Sequence, residues 1–520
     1  MFARLRFRLY RFLLGRVAAK GFKEHVVWPL ELPTSERIEV KPLAPEFPRL
    51  FAASNFPATE HADQRLKKFE MRARLLPIVS KLPAAETAPI RDDRSAFLEQ
   101  IYPPRFRRIW PTAPVEPPEF VSDDLLAALA VSGPFAMYLQ HSSTVDDLDA
   151  RSRGVAEHDD YVIDMTTFDD HPAKPAMLAP GGFAVLGLDG DGLRTRAVVS
   201  RGEVHKPGDE GYALALRLLL CAMNTHLTTL VHNVTYHLGY VTPVTVASTN
   251  ELSPDHPIRR LLHPAFQTTL IGNHELAAFQ VVGEGAFATK LFSHDYTTLV
   301  TLINAHLRAF RPVDLDPEAD FARRGLVDSP LKLPFWEDDL ALWKINRRYV
   351  DRYVRHHYDS DAAVAADREL EAWVVALDRL LPSGLHDDQG YLSAGQPLTQ
   401  ATLVRLCATY LHTSSATHDV VNNAVWDYST LNYVVPTVVP ESLEHQDVRL
   451  SFDFMNTILV TWKPFNMLVD GSSHLALDDE ARLIMDDYVS ALLARQAEMD
   501  AEPDRPGRIY PAELNPSVSN

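Results

Sequence analysis

Residues 212–241 read YALALRLLLCAMNTHLTTLVHNVTYHLGYV, and the reading of this stretch decides the fold. A helix apolar on every side belongs inside a large domain, and Pro243 just beyond it reads as its stop. Two imidazoles sit in the middle, His232 and His237, five residues apart. On an ideal α-helix, positions i and i+5 lie about 140° apart, too far round to share a metal. A π-type turn widens the helix and brings such a pair onto one face, and such turns often mark functional sites. A widening over residues 231–238 is therefore expected.

About 180 residues further on stands a second motif, His418-Asp-Val-Val-Asn422. Here the spacing is i and i+4, which puts both side chains on one face of an ordinary α-helix; Asn423 takes the place of Asn422 if the helix is shifted by one residue. The sequence closes on Pro516-Ser-Val-Ser-Asn520. Three neutral imidazoles, one amide oxygen and a main-chain carboxylate at Asn520 form a donor set suited to a non-haem iron. No single motif is specific, because 21 histidines in 520 residues give roughly one pair five apart by chance.

The surrounding chain reads as mainly α. Helices are expected at residues 63–76, 295–309, 339–358, 361–381 and 398–428, with a capped start at Ser122 and a stop at Gly133-Pro134. Residues 183–188 and 193–199 flank Asp189-Gly-Asp-Gly192, the signature of a β-hairpin. Those aspartates superficially suggest a calcium loop, but the twelfth position is Ser200 and offers no bidentate acid. No repeat and no flexible linker interrupts the chain. The expected organisation is residues 1–120, a basic helix and Pro-rich segment packed on the body, followed by one large helical catalytic domain over 121–520 with a few short β-hairpins.

Composition is that of an ordinary globular protein: 46% hydrophobic, 23% charged, with 37 prolines. Two cysteines, Cys221 and Cys407, exclude a disulfide framework and suit a reducing, cytoplasmic compartment. The net charge of −18 hides an asymmetry, since residues 1–24 carry seven basic groups and one acid. So acidic a body is a poor nucleic-acid binder. The basic start interleaves Phe2, Leu5, Leu9, Phe12, Leu13 and Val17, a pattern that packs on the domain or makes peripheral contact with an anionic membrane. Arg11 and Arg16 interrupt any secretory apolar core, and no uninterrupted apolar run reaches the ~20 residues that span a bilayer.

Taken together, the blocks resemble the lipoxygenase family. Tyr212 stands twenty residues before His232, where the family's metal helix opens with an aromatic. Leu252-Ser-Pro-Asp-His-Pro-Ile-Arg-Arg-Leu-Leu262 is similar to the family's L-x-x-x-H-P-I-x-K-L-L, and Asn273 falls where the next segment carries Asn. Arg324-Gly325, Pro334-Phe335, Asp339-Leu-Ala-Leu-Trp343 and Ser360-Asp361 with Asp367-Arg-Glu-Leu-Glu-Ala-Trp373 follow in the family's order. Ala416-Thr-His-Asp-Val-Val-Asn422, Trp426-Asp427-Tyr428 and Ser517-Val-Ser-Asn520 resemble its second metal motif and its ending. The resemblance covers roughly residues 120–520. The family's N-terminal lipid-binding β-barrel has no counterpart in the Pro-rich residues 25–120, as in its short, bacterial-type members.

The resemblance implies that His232, His237, His418, Asn422 and the carboxylate of Asn520 hold one iron in a mostly helical catalytic domain. It implies a dioxygenase in which a ferric hydroxide takes a hydrogen atom from a polyunsaturated fatty acid and O₂ traps the radical as a hydroperoxide. No side-chain base takes part. The alternatives are an oxidase on the same scaffold acting on another polyene or a specialised metabolite, and a lipid-binding homologue without turnover. Several positions depart from the family's pattern. Asn520 replaces the usual Ile, and Thr228 and Val425 stand where glutamines link substrate to iron ligand. Leu276 stands where a small residue accompanies the side attacked by O₂. Asn273, Leu276, Thr228 and Val425 are accordingly the expected pocket residues. His256 reads as structural, and His356 and His357 as neighbours that point apart into solvent.

Overall fold

The computed structural model describes residues 31–57, 87–89, 118–190, 192–266, 269–284, 287–385, 392, 396–424, 428–429, 431–432, 434–442, 445–447, 473–502, 509–511, 514–515 and 517–518. The helix expected at 63–76 and the basic residues 1–24 lie outside them. The body is built around one 40-residue rod. It starts as α1 (Tyr212–Thr225), passes into a π segment (His226–Val241) and continues as α2 (Thr242–Glu251). By length and composition this rod could cross a membrane, but it is the core helix of the domain, buried along nearly its whole length.

The π turn was expected over eight residues and runs for sixteen. Its length also corrects the reading of Pro243, which does not stop the helix. In an α-helix the proline ring strikes the carbonyl four residues back. Here the turn ahead of it is wide, with the Thr242 N–H donating to the carbonyl of His237, five residues back, and Gly239 at the fourth position removes the side chain as well.

Around the rod stand α3 (Thr269–Leu276), α4 (Tyr296–Ala309), α5 (Pro334–His357), α6 (Arg368–Leu380), α7 (Gln400–His412), α8 (His418–Ala424) and α9 (Asp479–Asp500). Three expected helices differ in detail. The span 361–381 is two helices, because Asp367 caps a new start at Arg368 through the N–H groups of Glu369 and Leu370. The span 398–428 is α7, a second π turn (Thr413–Thr417) and α8. The start at Ser122 moves to Asp124, whose carboxylate takes the N–H of Ala127.

The hairpin at Asp189–Gly192 belongs to a five-stranded antiparallel meander: β1 (Gln140–His141), β2 (Tyr161–Asp164), β3 (Phe183–Asp189), β4 (Gly192–Ser200) and β5 (Glu203–His205). Alternation along the strands gives each face its own apolar set. Tyr161, Ile163, Ala184, Leu186 and Val198 face the main core, and Val162, Phe183, Val185 and Val199 form a small cluster behind. Two short strand pairs, Val40–Pro42 with Phe51–Ala53 and Thr87–Pro89 with His445–Asp447, complete the β structure among the described residues.

The apolar residues separate into two large cores, and the rod threads both. One gathers Leu219 to Leu238 with the sheet; the other gathers Tyr240 to Ala247 with α5, α6 and α7. Phe47 and Leu50 enter the first and Ile38 the second, so residues 31–57 lie on the body. Cys221 and Cys407 are fully buried, free thiols, and burial pushes Cys221 up to about 12. They act as small apolar side chains.

Candidate metal centre

The π turns at His226–Val241 and Thr413–Thr417 accompany the convergence of three imidazoles on one point. His232 Nε2 lies 3.2 Å from His237 Nε2 and 3.2 Å from His418 Nε2, and His237 Nε2 lies 3.0 Å from His418 Nε2. All three side chains are buried. Nitrogens at right angles around a metal with bonds of about 2.1 Å stand about 3.0 Å apart. The triangle thus has the size of one face of a metal's coordination sphere.

Protons at this point are fixed by the groups behind the rings. His237 Nδ1–H donates to Asn273 Oδ1 at 2.7 Å. The orientation of that amide is not in question, because Asn273 Nδ2 donates to the carbonyl of His237 and to Thr242 Oγ1, each at 2.8 Å. His418 Nδ1–H donates to Asp419 Oδ1 at 3.0 Å. The Nε2 atoms of His237 and His418 therefore turn lone pairs towards each other. His232 Nδ1 is buried with no partner among the described residues. Burial, then the neighbouring His237 and His418, holds the His232 imidazole well below the usual range, hence neutral. Converging lone pairs in a dry site are unfavourable unless a cation sits between them. The donor set fits a metal, and its neutral nitrogens suit iron, zinc, copper or nickel rather than calcium or magnesium.

The other expected site residues divide. Asn422 is half-buried, one turn beyond His418 on α8. Asn273 stands behind His237, where its Oδ1 takes the ring proton. Thr228 is buried, its hydroxyl donating to Asn224 Oδ1 at 3.2 Å. Leu276 ends α3 and is buried in the main core. Val425 and Asn520 lie outside the described residues.

His256 is structural as expected: it caps the helix at Pro257 and bonds Asp367 at 3.1 Å. His356 is exposed as expected, but the pair does not point apart: the rings stand 4.6 Å apart beside Asp478, and His357 is half-buried at the end of α5.

Two features escaped sequence reading. Asp419, adjacent to His418, is 2% exposed and holds both that ring and Asn515; an acid directly after a ligand is visible in sequence, but its aim is not. A cavity of about 230 Å³ also runs beside the rod, lined among others by Val231, Thr235, His226, His306, Thr413 and Thr417. Thr235 Oγ1 and His306 Nε2 are 2.6 Å apart, and Tyr138 OH and His226 Nδ1 are 3.0 Å apart. Burial drives His226 down to about 3 and His306 to about 4.

The lipoxygenase family model matches residues 212–457. Linoleate 9S-lipoxygenase B of Solanum lycopersicum is 27% identical over 314 residues, 56% of this chain and 35% of the relative. Linoleate 13S-lipoxygenase 2-1 of Solanum tuberosum is 29% identical over 219 residues, 39% of this chain and 24% of the relative. The chain thus spans about a third or less of the length of these curated relatives. Among solved structures, a coral 8R-lipoxygenase superposes with a TM-score of 0.75 at 14% identity, covering 93% of this chain and 79% of that one. A lipoxygenase crystallised with arachidonate gives 0.74 at 14% identity with the same coverage. Such identities speak for the fold, which is that of the lipoxygenase catalytic domain. The family model lies over the rod, the histidine triangle and α8, so in sequence as in fold the chain is similar to the lipoxygenase family.

Proposed function

We propose that this chain is a non-haem iron dioxygenase that inserts O₂ into a polyunsaturated fatty acid to give a hydroperoxide. The observation that carries the proposal is the buried triangle of His232, His237 and His418, whose three Nε2 atoms converge on one point, two of them as lone pairs set by the groups behind their rings. Iron bound there would supply the one-electron oxidation of an activated methylene between two double bonds, with O₂ as the trap. The chain's own residues do the rest. Asn273 and Asp419 hold two of the rings by their Nδ1 protons, and burial keeps water away and the His232 imidazole neutral. Asn422 and the carboxylate of Asn520 are proposed as the oxygen ligands that complete the set.

Support for a fatty-acid substrate comes from relatives whose names specify linoleate and from the neighbour holding arachidonate. On the substrate side we place Leu276, Thr228 and Val425. Thr228, bonded to Asn224 with Ser429 on the same amide oxygen, favours a second reading, in which a polyene with a polar group replaces the plain fatty acid. The basic residues 1–24 are proposed to contact an anionic membrane surface. The test is iron-loaded protein given linoleate in aerated buffer. Ultraviolet absorbance of a conjugated diene with matching O₂ uptake supports the proposal. Iron-loaded protein that consumes O₂ with another polyene and not with linoleate replaces it by the second reading, and no uptake with any polyene removes both.

A further inference from the structure

We infer that Asp419 is a positioning residue that couples the docking of the segment around Asn515 to the metal-binding geometry of His418. The inference rests on the metal reading of the three histidines and extends it to a part of the chain nearly 100 residues away. One buried carboxylate serves both. Its Oδ1 takes the Nδ1 proton of His418 at 3.0 Å, while its Oδ2 takes the backbone N–H of Asn515 at 2.5 Å and the Asn515 side-chain amide at 3.1 Å. The segment is anchored on both sides of Asn515, with Leu514 in the core beside the sheet and Val518 in the other core.

A carboxylate cannot be replaced here by an amide without loss. An amide has one acceptor oxygen and two N–H groups, so it serves either the ring or Asn515, and presents donors to donors on the other side. Held by Asn515, the carboxylate stays aimed at His418, fixes its tautomer and turns the Nε2 lone pair towards the metal position. Released, it can turn to water, and the ring loses both its orientation and the donor strength that an ionised partner confers. Linkage then requires the reverse effect: a metal on His418 must tighten the segment.

The test uses the full chain with Co(II) as the probe, titrated against a competing chelator, and hydrogen exchange at the amides of Leu514, Asn515, Ser517 and Val518. Asp419→Asn is expected to weaken Co(II) binding about 10–100-fold, to shift the visible bands of the bound cobalt and to quicken exchange at those amides. Asn515→Asp sets a second carboxylate against Asp419 and leaves His418 untouched. It is expected to quicken the same amides and to weaken Co(II) about fivefold. Co(II) added to the wild-type chain should slow them. Tight Co(II) binding that both variants leave within about twofold overturns the coupling alone. A wild-type chain that binds no Co(II) overturns the metal reading and the coupling with it.

Discussion

Asn273 grips His237 at both ends: its Oδ1 accepts the ring proton at 2.7 Å, and its Nδ2 donates to the same residue's carbonyl at 2.8 Å. That carbonyl also accepts from Thr242 Oγ1 at 2.7 Å. A π turn leaves its carbonyls displaced from α-helical register, and α3 supplies the amide that satisfies one of them while aiming the imidazole.

Asn273→Ala should therefore weaken metal binding about 10–100-fold, the usual effect of losing the group behind a ligating histidine. Asn273→Asp, which keeps the acceptor for the ring and loses the donor to the carbonyl, should recover part of that loss. Competition against a chelator with Co(II) or Fe(II) measures both. Equal affinities for wild type and Asn273→Ala would show that the ring is held by packing alone.

Gly239 lies two residues beyond His237, where an added Cβ would meet the Val234 carbonyl oxygen at 3.0 Å and Leu307 and Pro382 at 3.5 Å. Gly239→Val should overpack this point and cost about 1–3 kcal/mol of stability. Urea unfolding of the metal-free chain reads this directly, and an unchanged midpoint would mean that the rod shifts freely at its most crowded turn.

Acid should destabilise the fold through the cavity beside the rod. Burial holds His226 at about 3 and His306 at about 4, far below the ordinary imidazole value. In the unfolded chain both bind protons below about pH 6.5, whereas in the fold they do not. Their contribution is present in full above about pH 6.5 and is lost as the pH falls towards 4 and then 3. His306→Gln should flatten the decline in urea midpoint between pH 6.5 and 4; a slope equal to that of wild type would assign the acid sensitivity to other groups.

How much of this was legible in the sequence follows from which contacts are local. His232 and His237 announced a π turn because no α-helix lets an i, i+5 pair converge, and the apolar stretch around them announced burial. The same logic failed at Pro243, where the rule for α-helices was applied to a turn that is not one. Asp367 looked like one more polar residue on a long helix, because a carboxylate that caps and one that faces solvent read alike. His356 turns to Asp478, which bonds it from more than 120 positions away, and its ring lies beside that of His357. Asp419 was in plain view beside His418, but its second partner, Asn515, comes from a distant segment. Neither motif nor periodicity encodes the cavity, whose walls come from segments as far apart as Tyr138, the rod, α4, α5 and the π turn at Thr413–Thr417.

Asn422 provides a sharper test of the ligand set than the pocket residues do. If its amide oxygen binds the metal, Asn422→Ala should lower iron affinity while Asn422→His restores it, because an imidazole is an equally competent donor. Thermal midpoints of the metal-free variants should stay together, as the side chain is only half-buried on α8. Full iron loading of Asn422→Ala would remove it from the set.

The central claim is that the triangle of His232, His237 and His418 holds iron, and elemental analysis tests it most directly. The purified chain, reconstituted anaerobically with Fe(II) and desalted, should retain close to one iron per chain, and peroxide should then bring up a high-spin ferric resonance. His232→Ala, His237→Ala and His418→Ala should each retain almost none while keeping the helical circular-dichroism signature of the metal-free protein. Wild-type protein that keeps no iron, or a His418→Ala variant that keeps as much as the wild type, would contradict the account.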